Sequence, residues 1–350
     1  MPIETSDLFN RGLHFIDWLI LIAYAAGMIG IGYYYSRKKS DSADYFLGGG
    51  RMTSWVTGIS LFTTLFSTIS YLSIPGEMIK NGPVFLINFL GIPLAYLVVG
   101  YILIPAYMRH RVISAYELLE ERLGGSVRTL GACLFIILRL TWMAVLHFMA
   151  ATAISIIIGL SPGDIIYVLI VTGFISVIYT MMGGLRAVMV SDVSQALILV
   201  IGAMATLGII TWRLGGFSWF PTTWNPLWAP QPLFSWDPHV RISIIIMNFF
   251  WQMCSAGGDQ TAIQRYMSTR DSKTATKAYL INSCAAVFVC LLVATLGFAL
   301  LSYYTRFNQL LPTGLNIGSS ADQLFPLFIA HELPIGVCGL VIAALFAAAM

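Results

Sequence analysis

Ser60, Thr63, Ser67 and Ser70 recur at spacings of three and four within SLFTTLFSTISYLSIPGE, residues 60–77. On a helix that spacing puts four hydroxyls on one face. Seven residues of this stretch are Ser or Thr, and it closes on Pro75-Gly76 and Glu77. Such a stripe can serve close packing of membrane helices, because small hydroxyl residues let backbones approach. It can also serve ion binding. A helix broken beside Pro75-Gly76 exposes carbonyls that no longer bond along the chain, and these are hard oxygen ligands suited to Na⁺.

The elements that must hold these residues are membrane helices. The chain has 350 residues, 58% of them hydrophobic and 10% charged. Runs of about 20 apolar residues with few charges read as transmembrane helices. Eight complete runs and a ninth, shorter one lie at about 13–35, 52–74, 84–107, 129–158, 164–182, 188–212, 240–262, 278–304 and 336–350. None alternates with a period of two, as the strands of a membrane barrel would. The expected class is therefore an all-α integral membrane protein. The N-terminus does not read as a cleavable signal, since Glu4 and Asp7 precede a run longer than a signal core. The last run stops mid-helix at GLVIAALFAAAM, which leads us to expect a chain truncated at its C-terminus.

Lysine and arginine mark the cytoplasmic side. With the N-terminus outside, the inner segments hold Arg37, Lys38, Lys39, Arg51, Arg109, Arg111, Arg122, Arg128, Arg186, Arg265, Arg270, Lys273 and Lys277. The outer ones hold Arg11, Lys80, Arg213, Arg241 and Arg306. Residues 213–239, rich in Trp and Pro, should line the outer interface, and 305–335 reads as a second outer loop. SAYELLEERLGG (114–125) reads as a short amphipathic inner helix closed by glycine. The five cysteines show no metal-ligand spacing and read as small core residues. Glu332 in HELPIG lacks the second His of a metalloprotease helix, and neither a phosphate loop nor a nucleophile triad is present, so an enzyme is not expected.

Four segments, DYFLGGGRMTSWVTGISL (44–61), STISYLSIPGE (67–77), GGLRAVMVSDVSQALILV (183–200) and DQTAIQRYMSTRD (259–271), resemble in order and spacing the sodium/solute symporter family. Its members carry sugars, proline, sialic acid, iodide, vitamins and monocarboxylates with Na⁺. The resemblance implies a leader helix followed by two inverted five-helix repeats. On this chain the leader is 13–35, the first repeat 52–212 and an incomplete second repeat 240–350, all in one transporter domain spanning 1–350. The implied sodium site uses the carbonyls of Thr63, Phe66 and Ala348, with two hydroxyls that would follow Met350 in the family pattern. Asp192 matches the family's intramembrane acid near the sodium path. An intramembrane carboxylate is a functional hypothesis by default. The alternative is a helix-end Asp paired with Arg186.

Substrate contacts implied by the resemblance fall at Leu65, Ser67, Ser70, Gln252 and Ser255. Gln252, beside the weak point Gly257-Gly258, could equally make an interhelical hydrogen bond. Sugar-carrying members have an Asn and a Gln where this chain has Leu65 and Ser70, a Tyr at Ser255 and a Lys at Ala286. This departure suggests a pocket without an amide-rich lining. The expected solute is accordingly a small organic anion such as a monocarboxylate. A sugar, an amino acid, or a role as a transporter-like solute sensor are the alternatives. Arg139 lies two turns from His147 on one apolar run. It either snorkels to the inner interface, the preferred reading, or faces the pocket. Na⁺ is the expected coupling ion, with a solute and the lipid bilayer as partners. No cofactor, nucleic acid or obligate protein partner is implied.

Overall fold

The computed structural model describes residues 13–37, 42–110, 114–228, 241–312 and 314–349, with 232–234 and 236 between them. Arg11, Lys38, Lys39, Arg111 and Met350, used above, lie outside the described residues, as does the side chain of Ala348. The described chain is helical throughout, and its one extended pairing is an isolated parallel bridge between Met52 and Thr269.

The order is α1 (Phe15–Ser36), α2 (Ser42–Leu47), α3 (Ser54–Leu65) and α4 (Thr68–Asn81). A 3₁₀ stretch, Gly82–Leu90, leads into α5 (Gly91–Val98), which continues through a π turn into α6 (Ile104–His110). There follow α7 (Ala115–Leu123), α8 (Gly125–Ile158), α9 (Ile165–Arg213), α10 (Arg241–Gly258), α11 (Gln260–Met267), α12 (Ser272–Arg306), α13 (Ala321–Glu332) and α14 (Val337–Ala349). Five spans among the described residues are long and apolar enough to cross a bilayer: Phe15–Ser36, Thr68–His110, Gly125–Ile158, Thr180–Arg213 and Ser272–Arg306.

The expected runs differ from these elements where backbone chemistry interrupts them. The run 52–74 is two helices, and the break falls at Phe66-Ser67 rather than at Pro75-Gly76. Phe66 and Ser67 are extended (φ −91°, ψ 106° and φ −95°, ψ 166°), and the Ser67 hydroxyl caps α4 by accepting from the Ser70 N–H at 3.4 Å. Pro75 stays inside α4, because a proline removes only one ladder bond, and membrane helices re-satisfy it locally. The run 240–262 likewise divides, at extended Asp259, into α10 and α11. Conversely, 164–182 and 188–212 are arms of one element, α9, turning at Gly184 (φ 60°, ψ −170°). A Cβ there would lie 2.8 Å from the Tyr45 ring. The outer loop 305–335 is not all loop, since α13 lies within it against α4.

The core gathers α4, α8, α9, α12, α13 and α14 around Tyr71, Phe325, Phe328 and Tyr303. The leader α1 packs on α9 and α14. Asp17, buried on α1, clamps the start of α14 by accepting from the N–H groups of Gly336 and Gly339, both at 2.8 Å. Those donors are the free amides of a helix N-terminus. On the opposite side of the membrane segments, Asp271 caps α12 through the Thr274 N–H and hydroxyl, both at 2.8 Å, which hold its carboxyl below the usual range.

Close contact of α12 with α4 depends on Gly297, where an added Cβ would lie 2.6 Å from the Pro75 carbonyl oxygen and 2.9 Å from its Cα. Backbone cannot yield as a side-chain tip can. Gly297→Ala should therefore cost about 1–3 kcal/mol of stability, seen as a lower Tm of the detergent-solubilised protein. An unchanged Tm would mean that these helices are not held this close.

Candidate functional site

The first break sets the geometry. The last four carbonyls of a helix lie beyond the reach of its own N–H groups. At the end of α3 these belong to Thr63, Thr64, Leu65 and Phe66. The Thr63 hydroxyl turns back onto its own helix, donating to the carbonyls of Ile59 and Ser60 at 3.2 and 2.9 Å. Among the described residues no hydrogen-bond donor meets the carbonyls of Thr63 to Phe66. The start of α4 is tied to α14, with the Thr68 hydroxyl donating to the Leu345 carbonyl at 3.3 Å. Ala348 follows one turn later, in the last turn of α14. Thr63 and Phe66 thus sit at the break, and the helix carrying Ala348 packs against it.

The second break is finished differently. Two of the four carbonyls freed at the end of α10 have tyrosine partners: Tyr266 donates to Ala256 and Tyr107 to Gly257, both at 2.8 Å. Asp259 caps α11, accepting from the Thr261 N–H at 2.8 Å.

Between the breaks lies a cavity. Phe62, Leu65, Phe66, Ser70 and Ile74 form one wall, and the 3₁₀ stretch adds Phe85, Asn88 and Phe89. Asn248, Trp251, Gln252 and Ser255 of α10 form the wall opposite, and Asn282 and Ala286 of α12 close the side. Four of the five expected substrate residues, Leu65, Ser70, Gln252 and Ser255, meet here. Ser67 does not line the cavity, because its hydroxyl is spent on capping α4. Ser255 directs its own hydroxyl to the Trp251 carbonyl at 2.6 Å.

The expectation of a pocket poor in amides is overturned. Asn88, Asn248, Gln252 and Asn282 bring four carboxamides to one cavity with no Lys or Arg in its lining. They come from three segments far apart in sequence, so one amide seen singly within INF, MNFF or INS carried no sign of the others.

Asp192 is buried and does not pair with Arg186, whose Nε donates instead to the Gly48 carbonyl at 2.9 Å. Its partner is Arg265, with Nη2 at 3.2 Å from Oδ2. Ser60 completes the node, donating to Asp192 and accepting from Arg265 Nε at 2.8 Å. Arg265 counted above as an inner-loop cation, but only 6% of it is exposed. Ser60, from the hydroxyl stripe, thus joins α3 to α9 and α11. Arg139 does not line the cavity. It forms an ion pair with Asp259 and donates to the Thr261 hydroxyl at 3.1 Å. Sequence reasoning missed this pair, which joins residues 120 positions apart.

A model of the sodium:solute symporter family matches residues 45–350. The chain belongs to that family. It is 32% identical to the sodium/sialic acid symporter of Proteus mirabilis, over 96% of this chain and 67% of that protein. It is 30% identical to the sodium/sialic acid symporter of Aliivibrio fischeri, over 95% of this chain and 66% of the other. A solved structure of a Na⁺-coupled sialic acid symporter, in a substrate-bound outward-open state, superposes with a TM-score of 0.85 at 31% identity, covering 96% of this chain and 71% of that one. The chain spans about two thirds of the length of these symporters. They are carriers, not enzymes, as the motifs implied, and the helical multi-pass membrane architecture follows with the family.

The Asp192–Ser60–Arg265 node makes a stability prediction. Removing one partner of a buried ion pair strands the other charge, which costs about 3–5 kcal/mol, whereas replacing both with apolar groups is close to neutral. Asp192→Asn should thus lower the Tm sharply, and Arg265→Met combined with it should recover most of the loss. Equal melting of the single and double variants would show that the pair is not coupled.

Proposed function

We propose that the full-length protein imports a hydroxyl- and amide-bearing sugar acid of the sialic acid class, driven by Na⁺. The observation that carries this reading is the pairing of two differently finished helix breaks around an amide-lined cavity. Among the described residues the carbonyls at the first break have no donor, which suits a bare cation, while at the second break tyrosines cover the carbonyls of Ala256 and Gly257. Thr63 and Phe66 supply the proposed Na⁺ ligands, with Ala348 on the helix packed against them. Asp192, the acid that accepts from Ser60 and pairs with Arg265, is the carboxylate we assign to the ion's path.

Four carboxamides offer paired donors and acceptors, which is the chemistry that hydroxyl and amide groups of a solute require. A simple monocarboxylate would leave most of them unpaired, at a cost of about 1–3 kcal/mol for each buried group. The solute's carboxylate has no cationic side chain in the cavity, and the first N–H groups of α4 are the partners we assign to it. The two relatives named as sialic acid symporters support the same class.

In the proposed cycle the N-terminus is outside, as the Lys/Arg asymmetry supports. Na⁺ enters first and tightens solute binding, and by reciprocity solute tightens Na⁺ binding. One Na⁺ contributes ~2.3 kcal/mol per 100 mV and ~1.4 kcal/mol per tenfold concentration ratio. Together these sustain roughly several-hundredfold accumulation per ion.

The test is uptake into vesicles carrying the full-length protein, with Na⁺ or choline outside and sialic acid, lactate and glucose as solutes. Sialic acid should accumulate in Na⁺ alone. Asn88→Leu or Gln252→Leu should raise its KM roughly tenfold, the loss of about one buried hydrogen bond to the solute. Equal uptake in both salts would refute the sodium site. Lactate preferred over sialic acid would refute the reading of the amides, and Na⁺-dependent binding with no accumulation would point to a solute sensor.

A further inference from the structure

We propose that Arg139 is the positioning residue that fixes the second helix break and, through it, the inner half-helix α11. The inference rests on the symport reading but concerns a residue outside the cavity. Arg139 lies on α8, and its side chain is 22% exposed against 13% for Asp259. Among the described residues α8 and α11 do not pack along their lengths, so the ion pair is a bridge built for its own sake rather than a by-product of helix contact.

The two carboxylate oxygens of Asp259 divide the work. Oδ1 caps α11, accepting from the Thr261 N–H at 2.8 Å and hydroxyl at 2.6 Å, while Oδ2 takes the Arg139 guanidinium. The cap starts the helix. The guanidinium, also bonded to the Thr261 hydroxyl at 3.1 Å, fixes the direction in which it starts. At its other end α11 is held by Arg265 on Asp192 and Ser60, and by the Ser268 carbonyl accepting from the Met52 N–H at 2.9 Å. One half-helix is thus gripped through its acid by a cation of α8 and through its base by an acid of α9. Polar grips of this kind release in discrete steps, as a segment that must move during each cycle requires.

The experiment separates capping from positioning. Asp259→Asn keeps an equally good N-cap and loses the ion pair, and Arg139→Gln loses it from the other side. Arg139→Lys restores a charge and leaves the Asp259 cap in place. Each is made in the full-length protein carrying Ser268→Cys, which is buried in this arrangement. A membrane-impermeant maleimide is applied at the inner face, and the parent's own cysteines set the background. Arg139→Gln and Asp259→Asn should each label about tenfold faster and lower the Vmax of Na⁺-driven sialic acid uptake about tenfold, with KM within about threefold. Arg139→Lys should move both readouts back toward the parent. Labelling at the parent rate in both neutral variants would overturn the proposal, as would lost uptake with unchanged labelling. Should Arg139→Gln not fold, Asp259→Asn decides alone. The labelling needs no transport, so a parent that accumulates nothing defeats the symport reading while this one is still judged on its own readout.

Discussion

A backbone amide or carbonyl that leaves its helix inside a bilayer has no water to turn to, and each one left unsatisfied costs several kcal/mol. This chain leaves two helices open, at Phe66-Ser67 and at Asp259. The arrangement around them follows from where the freed groups find partners. Ser67 and Asp259 cap the helices that restart. Tyr107 and Tyr266 cover two of the carbonyls before the second break, those of Gly257 and Ala256. Such gaps are tolerated only where protein surrounds them or a cavity receives them, and the amide-lined cavity lies between the two.

The same constraint explains the position of the charges. Asp192, Arg265, Asp259 and Arg139 have side chains largely withdrawn from the surface, and they form two pairs rather than four isolated charges. One pair includes Arg265 of α11 and the other Asp259, the residue that caps it. Membrane helices gain little from hydrophobic attraction for one another, since lipid is as apolar as they are. Mobility of a half-helix is therefore controlled by polar contacts, and the long apolar faces of α8 and α9 set its surroundings without gripping it.

Much of this was legible in the residues. The apolar runs located the membrane elements, SAYELLEERLGG located α7, and Ser70 was expected at the cavity it lines. Two kinds of information were not legible. The position of a break is decided by which side chain can cap the restarted helix, so Ser67 outweighed the more conspicuous Pro75. Partnerships across the fold depend on three-dimensional placement, so Arg265 read as a loop cation and the amides at 88, 248, 252 and 282 read as unrelated. The departures from the sugar-carrying pattern at Leu65, Ser70, Ser255 and Ala286 described only part of a lining whose amides stand on the 3₁₀ stretch and at other positions of α10 and α12.

That displacement bears on how specificity can change within one architecture. The residues at the first break have two obligations, to expose carbonyls and to cap α4, and both are met by backbone and by Ser67. Neither obligation constrains Leu65 or Ser70, whose side chains face the cavity. The cavity can then be re-lined from the 3₁₀ stretch and from α10 and α12, while the breaks, which carry the cost of opening a helix in lipid, stay as they are. A cation site made of main-chain oxygens is indifferent to such re-lining, because any side chain can stand on a carbonyl. On the proposed site, coupling to Na⁺ would rest on main-chain atoms of the first break, and choice of solute on side chains brought from other elements.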